Sequence, residues 1–461
     1  MRTERDTLGE VQVPDDALYG AQTQRAIENY PVSGLRAHPV FIRSFILLKK
    51  AAALANRELD ALEGSLSDAI AGACDQLLAD ENSRRHFPVD VFQAGAGTSF
   101  NMNCNEVIAN LANVSLGGQR GAYKPIHPND HVNMAQSTND VFPTAIRIAT
   151  LLLLGDLTPQ LDALDAAFDD RGKAFAHVIK SGRTHLQDAV PLTLGQEFRA
   201  YAAATRRATR LLRDAANELR VLGIGGTAVG TGMNAPRGYR HVIVRHLNEL
   251  TNLDLTATDD LREAMQSQLP VSAVSGALRN LALELTRITN DLRLLASGPQ
   301  TGLAEITLPS VQPGSSIMPG KVNPSILECM NQVLFHILGS ATTIDYAVQA
   351  GQLELNVMMP LMAFEILFSI EILKNYLPVF IDKCIRGIEA DRAQCEAYYI
   401  SSPSLATALN PIIGYARAAE IAKDSAKSGT PIPQLLRERK ILSEEEIARI
   451  FTPEFLAGQA D

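Results

Sequence analysis

From Val271 to Leu295 the chain places Val271, Val274, Leu278, Leu281, Leu285, Ile288, Leu292 and Leu295 at alternating spacings of three and four residues. That is a heptad seam, and a helix carrying it must bury a narrow apolar stripe against another helix, with left-handed packing. A second run, Leu157, Leu161, Leu164, Phe168, Phe175 and Val178, reads the same way. The segment from Leu355 to Phe380 is apolar on most faces, which predicts a helix buried all round. Helices this long, with few strand-like alternations between them, predict an all-α bundle larger than one subunit needs. Oligomerisation through the bundle is therefore expected.

The helical region runs from about Ser137 to about Ala390. Before it lies a mixed segment punctuated at Gly95, Gly97, Gly117, Gly118, Pro125 and Pro128, and after it a tail whose helix ends are marked by Pro403, Pro411, Gly429, Pro431 and Pro433. The expected division is an N-terminal domain over 1–136, a central helical bundle over 137–393 and a small C-terminal helical domain over 394–461.

The net charge of −9 argues against nucleic acid as a partner, where a basic stripe is the usual footprint. Any anionic substrate must then be met by a local cluster of positive charge or N–H donors. Cys74, Cys104, Cys329, Cys384 and Cys395 are scattered with no CxxC pair, as reduced thiols in a cytoplasmic protein would be. The first ten residues lack an apolar run, so no signal peptide is expected. Pro360 to Phe380 is interrupted by Glu365, Glu371 and Lys374, so a buried helix and no membrane partner is the reading there.

Four stretches depart from helix-forming composition: GAGTSFNMN from Gly95, QSTND from Gln136, GRTHLQ from Gly182 and GSSIMPGKVN from Gly314. Each offers hydroxyls, amides or backbone N–H groups without bulk, as a site for a small polar ligand requires. Taken singly, each is also what an ordinary turn looks like; four of them beside long helices point to a site. In the last, Pro313, Gly314, Pro319 and Gly320 bracket two serines in a hinge-like loop. It is not a phosphate loop, because Val322 stands where the Ser or Thr after the lysine is needed. Gly223 to Gly232 lacks the strand and helix setting of a nucleotide loop and reads as a turn.

With these residues in view, the chain resembles the fumarase/aspartase superfamily. GSSIMPGKVNP at Gly314–Pro324 is similar to its signature. The resemblance continues in LGEVQVPDDALYGAQTQRAIENY from Leu8, GAGTSFNMNCNEV, HPNDHVNMAQSTNDVFPT, GRTHLQDAVPLTLGQEF and LNPIIGYARAAEIAK. It implies an all-α, three-domain fold and a homotetramer around a twenty-helix core, with each active site built from loops of three subunits. It further implies Ser315 as catalytic base, with Ser316, Lys321 and Asn323 as carboxylate-binding partners. Thr98, Ser137, Thr138, Asn139 and Thr184 become substrate contacts, and His185 a catalytic residue paired with the carboxylate of Glu328. No cofactor or metal is expected, since no His, Cys and Asp cluster has ligand spacing.

Two activities share these residues in that superfamily: removal of ammonia from L-aspartate, and class II hydration of fumarate. GAGTS at Gly95–Ser99 and STND at Ser137–Asp140 look like the ammonia-lyases, whereas class II hydratases carry SGT followed by Gln, and SSND. Ala96 lacks a hydroxyl that a hydratase could use. HPND at His127–Asp130 is hydratase-like, and ELNVMMP at Glu354–Pro360 departs from both, with Met359 where the ammonia-lyases commonly carry Glu. The balance favours L-aspartate and fumarate as substrate and product, with hydration as the alternative. A third reading, a non-catalytic helical assembly, is opposed by the intact set Ser315, Lys321, Asn323, His185 and Glu328.

Overall fold

A computed structural model of the chain describes residues 1–456 and residue 458. The fold is mostly helical, and among the described residues strands occur only as four two-stranded pairs, so the all-α class expected from the heptads holds. Every residue of the Val271–Leu295 seam is buried, and so is each of Leu157, Leu161, Leu164, Phe168, Phe175 and Val178. Each such aliphatic or aromatic side chain contributes roughly 1.5–3 kcal/mol over leaving it exposed.

The chain forms two compact units, each assembled from three separated segments. One takes Met1–Thr158, Arg210–Asn280 and Phe335–Leu373. Its core is ringed by Phe41, Phe45, Phe100 and Phe142, with centroids 5.1–5.7 Å apart and mostly edge-to-face. Pro at the first position and the His38 imidazole, accepting from Val40 N, start the helix Pro39–Glu58. The helix Ala21–Asn29 is capped from a distance. Glu106, on the helix Thr98–Ser115, accepts from the backbone N–H of Gly20, Gln22 and Thr23. Burial raises the Glu106 carboxyl above its ordinary value, against the pull of those donors.

The other unit takes Pro159–Thr209, Leu281–Leu334 and the chain from Lys374 onward. It holds a second aromatic group, Phe168, Phe175, Phe198 and Tyr201. A separate apolar core gathers the small C-terminal helices around Leu405, Leu409, Ile421, Ile432, Leu436 and Ile450. There Ser443 and Glu446 form a reciprocal cap on the helix Glu444–Ile450.

Three features differ from the sequence reading. The helical stretch after Ser137 is interrupted by an antiparallel hairpin, Ile179–Thr184 with Gln187–Thr193, so GRTHLQ is strand and turn. The buried helix begins at Met359 instead of Leu355, because Asn356 turns its amide onto the carbonyls of Ala347 and Val348. Along that helix Phe368 is exposed, so burial is not complete on all faces. The long helix Thr138–Ala174 is also apolar enough in length and composition to cross a membrane, but 78% of its apolar stretch is buried within the fold, as a core helix would be.

Candidate active site

The loop carrying Ser315 is closed at its neck by two hydrogen bonds. Gly314 N donates to Lys321 O at 2.8 Å, and Asn323 Nδ2 donates to Gly314 O at 2.6 Å. A Cβ at Gly314 would lie 2.5 Å from Lys321 O and 2.7 Å from Asn323 N, so only glycine fits the neck. Beyond it, the Ser315 hydroxyl oxygen accepts from Ile317 N at 3.2 Å and Met318 N at 3.0 Å. Donors aimed at a hydroxyl oxygen favour its anionic form, the direction a serine base requires. Ser316 and Lys321 are exposed beside it. Asn323, expected to bind a carboxylate, also serves as the strap of the loop. Glu328 stands in the first turn of the helix Ser325–Gln349 that follows.

Thr184 and His185 occupy the tip of the hairpin. Thr184 pairs with Gln187, leaving His185 and Leu186 as a two-residue turn with φ of 56° and 59°. Those values suit glycine or asparagine. In residues with a Cβ they cost on the order of 1 kcal/mol each and are kept where the surroundings over-determine them. Both Thr184 and His185 are exposed. Among the described residues no hydrogen bond or ion pair joins His185 to Glu328.

Thr98 and the Ser137–Asn139 group lie in the unit that begins at Met1. Thr98 is exposed at the start of its helix, after a turn in which Ala96 and Gly97 have φ of 58° and 86°. Ala96 N donates to Val357 O at 2.8 Å, so the ELNVMMP stretch supports GAGTS. A Cβ on Gly97 would fall inside the ring of Phe142. Ala96 is buried, so a hydroxyl there would meet protein within this chain. Expecting phenylalanine and asparagines after Thr98 to lie in a loop was wrong. Phe100–Asn103 are buried helix; the amide nitrogens of Asn101, Asn103, Asn105, Asn110 and Asn113 all find acceptors, while the side-chain oxygens of Asn103 and Asn105 have no partner among the described residues. Ser137 caps the long helix: its Oγ accepts from Asn139 N, and Asp140 Oδ1 accepts from Ser137 N. Thr138 is buried with its hydroxyl accepting from Asn101 Nδ2 at 2.9 Å, and Asn139 Nδ2 donates to Ala228 O. Among the described residues no group of His, Cys, Asp and Glu converges as metal ligands would.

Comparison with known proteins bears on this arrangement. A family profile described as lyase matches residues 9–339, and one described as the fumarase C C-terminus matches residues 405–458. Aspartate ammonia-lyase of Helicobacter pylori is 48% identical over 98% of this chain and 97% of its own length. The solved structure of a fumarate lyase:delta crystallin from Brucella melitensis superposes with a TM-score of 0.96 at 47% identity, covering 99% of both chains. The chain belongs to the fumarase/aspartase superfamily. A recombinant class II fumarase from Schistosoma mansoni has the same fold at a TM-score of 0.95, with 35% identity and full coverage of both chains.

Two features of this lyase escaped the sequence reading. Lys49 is wholly buried and donates to three side-chain carbonyls, Asn101 Oδ1 at 2.7 Å, Gln136 Oε1 at 2.9 Å and Asn133 Oδ1 at 3.0 Å. All three donor hydrogens of the ammonium are thus used, and the chain just before Ser137 is held by it. Burial lowers the Lys49 ammonium to about 8, with Cys104 and Asp140 opposing the shift. The signal was present: Ile42, Phe45, Ile46, Lys49, Ala52 and Asn56 share one helical stripe, so Lys49 falls on the apolar face and its neighbour Lys50 does not. The second feature is Asp140, fully buried, which accepts from Ser137 N, Thr227 N at 2.9 Å and Gly225 N at 3.1 Å. The glycine-rich turn at Gly223–Gly232 therefore aims two of its N–H groups at this carboxylate, while those of Gly226, Gly230 and Gly232 close the turn on itself.

Burial pushes the Asp140 carboxyl up to about 7, against the pull of its three backbone donors. A carboxyl raised above its ordinary value stabilises the fold fully at low pH, and that contribution is lost as pH climbs from about 4 through about 7. Wild type should therefore lose roughly 2–3 kcal/mol relative to Asp140→Asn between pH 5 and pH 8. Urea unfolding of both proteins at the two pH values measures it, and an unchanged gap would show that the carboxylate is ionised throughout.

Proposed function

We infer that this lyase is an aspartate ammonia-lyase, a carbon–nitrogen lyase that reversibly converts L-aspartate to fumarate and ammonia. The observation that carries the reading is 48% identity to an aspartate ammonia-lyase against 35% to a class II fumarase, each over nearly the whole chain. A C–H beside a carboxylate is a very weak acid, and its removal places a second negative charge on that carboxylate. Only interactions stronger in that aci-form than in the ground state accelerate the step. Ser315, reacting as the alkoxide that its two N–H donors favour, takes the proton and becomes the neutral hydroxyl. The N–H groups of its loop, with Lys321, Asn323 and the Ser316 hydroxyl, carry the dianionic carboxylate in the manner of an oxyanion hole. The C–N bond then breaks anti to the proton and ammonia leaves with its electron pair. Thr98, Ser137, Thr138, Asn139 and Thr184 hold the substrate, and Glu328 orients the His185 imidazole.

The site is completed by other copies of the chain in a homotetramer. In support, no hydrogen bond or ion pair joins His185 to Glu328 among the described residues of one chain, and Leu211, Leu269, Leu283, Phe335 and Tyr346 stand exposed on long helices. The division at 136/137 is supported by the Ser137 cap on the long helix, whereas 393/394 falls inside the helix Arg392–Ser401, which the Asp391 carboxylate caps. The five free thiols suit the reducing cytoplasm as the place of reaction.

Hydration of fumarate is the second reading, favoured by HPND at His127–Asp130. Fumarate absorbance with L-aspartate and L-malate as rival substrates separates the two. The kcat/KM for L-aspartate should exceed that for L-malate by at least about a hundredfold, the scale on which mismatched polar groups are rejected. A larger value for L-malate would make the chain a hydratase.

A further inference from the structure

The His185–Leu186 turn that follows Thr184 is strained and exposed, and among the described residues its side chains have no hydrogen-bond partner; what fixes it lies at its root. Arg183, the residue before Thr184, donates from Nη1 to both Glu305 oxygens, at 3.0 and 2.9 Å. Lys180 Nζ, on the same strand, reaches Glu305 Oε2 at 3.2 Å and Glu197 Oε2 at 3.1 Å. The Arg183 guanidinium also lies over the Tyr398 ring, 5.4 Å from its centroid. Glu305 is wholly buried and itself immobilised by its backbone: its N–H donates to Leu295 O at 2.9 Å and its carbonyl accepts from Asp391 N at 3.0 Å.

A buried ion cluster is a poor device for stability, because apolar residues of similar volume serve as well or better. Its distinctive property is direction. A carboxylate fixed at both ends of its own residue, gripping the arginine next to the turn, sets where that turn points. The bulge in strand register between Ser181 and Arg183 gives the strand the twist that brings Arg183 to it. We propose that Arg183 and Glu305 are a positioning pair which holds Thr184 and the strained His185–Leu186 turn in substrate-ready form. The inference rests on the reading of His185 and Thr184 as site residues.

The test is a double-mutant cycle on L-aspartate turnover, combined with amide hydrogen exchange of the 179–193 hairpin in the assembled protein. Arg183→Gln should lower kcat/KM by about a hundredfold, the scale of a 1 Å misplacement. Arg183→Lys, which keeps a positive charge beside Glu305, should recover at least a tenth of wild-type activity. On a His185→Ala background, Arg183→Gln should cost less than about threefold, because the turn it positions has already lost its function. Exchange at the hairpin tip should rise at least tenfold in Arg183→Gln. Losses that multiply in the cycle, or a hairpin exchanging at the wild-type rate, would overturn the proposal. Full turnover in His185→Ala would instead remove the histidine from the site, and exchange would then decide the positioning pair on its own. If Arg183→Gln fails to assemble, Arg183→Lys carries the same cycle with smaller effects of the same sign.

Discussion

Ser315→Ala lowers kcat for L-aspartate by at least about a thousandfold while the protein folds and assembles as before. A positioned base supplies roughly 10²–10⁴-fold, and here the proton is an unusually reluctant one. The structural cost is small. Among the described residues the hydroxyl bonds only to the N–H groups of Ile317 and Met318, in a loop where Ile317 is 83% exposed and water can replace the lost acceptor. Losing it should cost under about 0.5 kcal/mol of stability. Ser316→Ala is the control for disturbance of the loop. Its hydroxyl contributes binding and not proton transfer, so the loss should be milder and fall mainly on KM. Steady-state kinetics with circular dichroism and native mass decide the matter. A more damaging Ser316→Ala beside near-normal turnover in Ser315→Ala would move the base to Ser316.

Mixing two crippled proteins restores activity. Ser315→Ala and His185→Ala subunits each keep only residual turnover alone, but if one site takes its serine loop and its histidine turn from different copies, some mixed sites carry both intact residues. Random assembly of equal amounts gives about a quarter of wild-type turnover, from the even chance at each of two contributing chains. Denaturation and refolding of differently tagged variants, followed by isolation of mixed tetramers, makes the measurement. Verified mixed tetramers with no recovered turnover would place both residues in the same chain's contribution and remove the shared site.

What the sequence carried and what it hid follow from how far apart the interacting residues lie. The seam from Val271 to Leu295 was legible because burial of one helical face is a local pattern, and each of its residues is buried. The Gly314–Asn323 loop was legible because proline and glycine write their backbone constraints into the chain directly. The hairpin at Ile179–Thr184 and Gln187–Thr193 was not. The first strand is buried over its first four residues and the second is exposed or half-buried except at its end, so neither shows the alternation by which strands are recognised. Arg183 and Glu305 are 122 residues apart, and no spacing rule connects them. Lys49 was readable only as a charge on the wrong face of a helix, and that anomaly marks a buried network without naming its partners. The family resemblance supplied roles for Ser315, His185 and Glu328; the single chain shows two backbone donors on the serine hydroxyl and, among the described residues, no hydrogen bond or ion pair between the other two.

The contact between Gly97 and Phe142 sets an order on evolutionary change. No side chain can be added at position 97 while a phenylalanine ring fills the space, and its φ of 86° disfavours one even in an empty space. Shrinking the ring first means crossing a valley, since truncating a fully buried phenylalanine costs about 3–5 kcal/mol. Either step taken alone is selected against, so a lineage leaves this pair only by passing through a less stable ancestor. The turn before Thr98 is thereby preserved by history as much as by chemistry: descendants can retune the ligand-facing residues around it far more readily than they can rebuild the bend on which those residues stand.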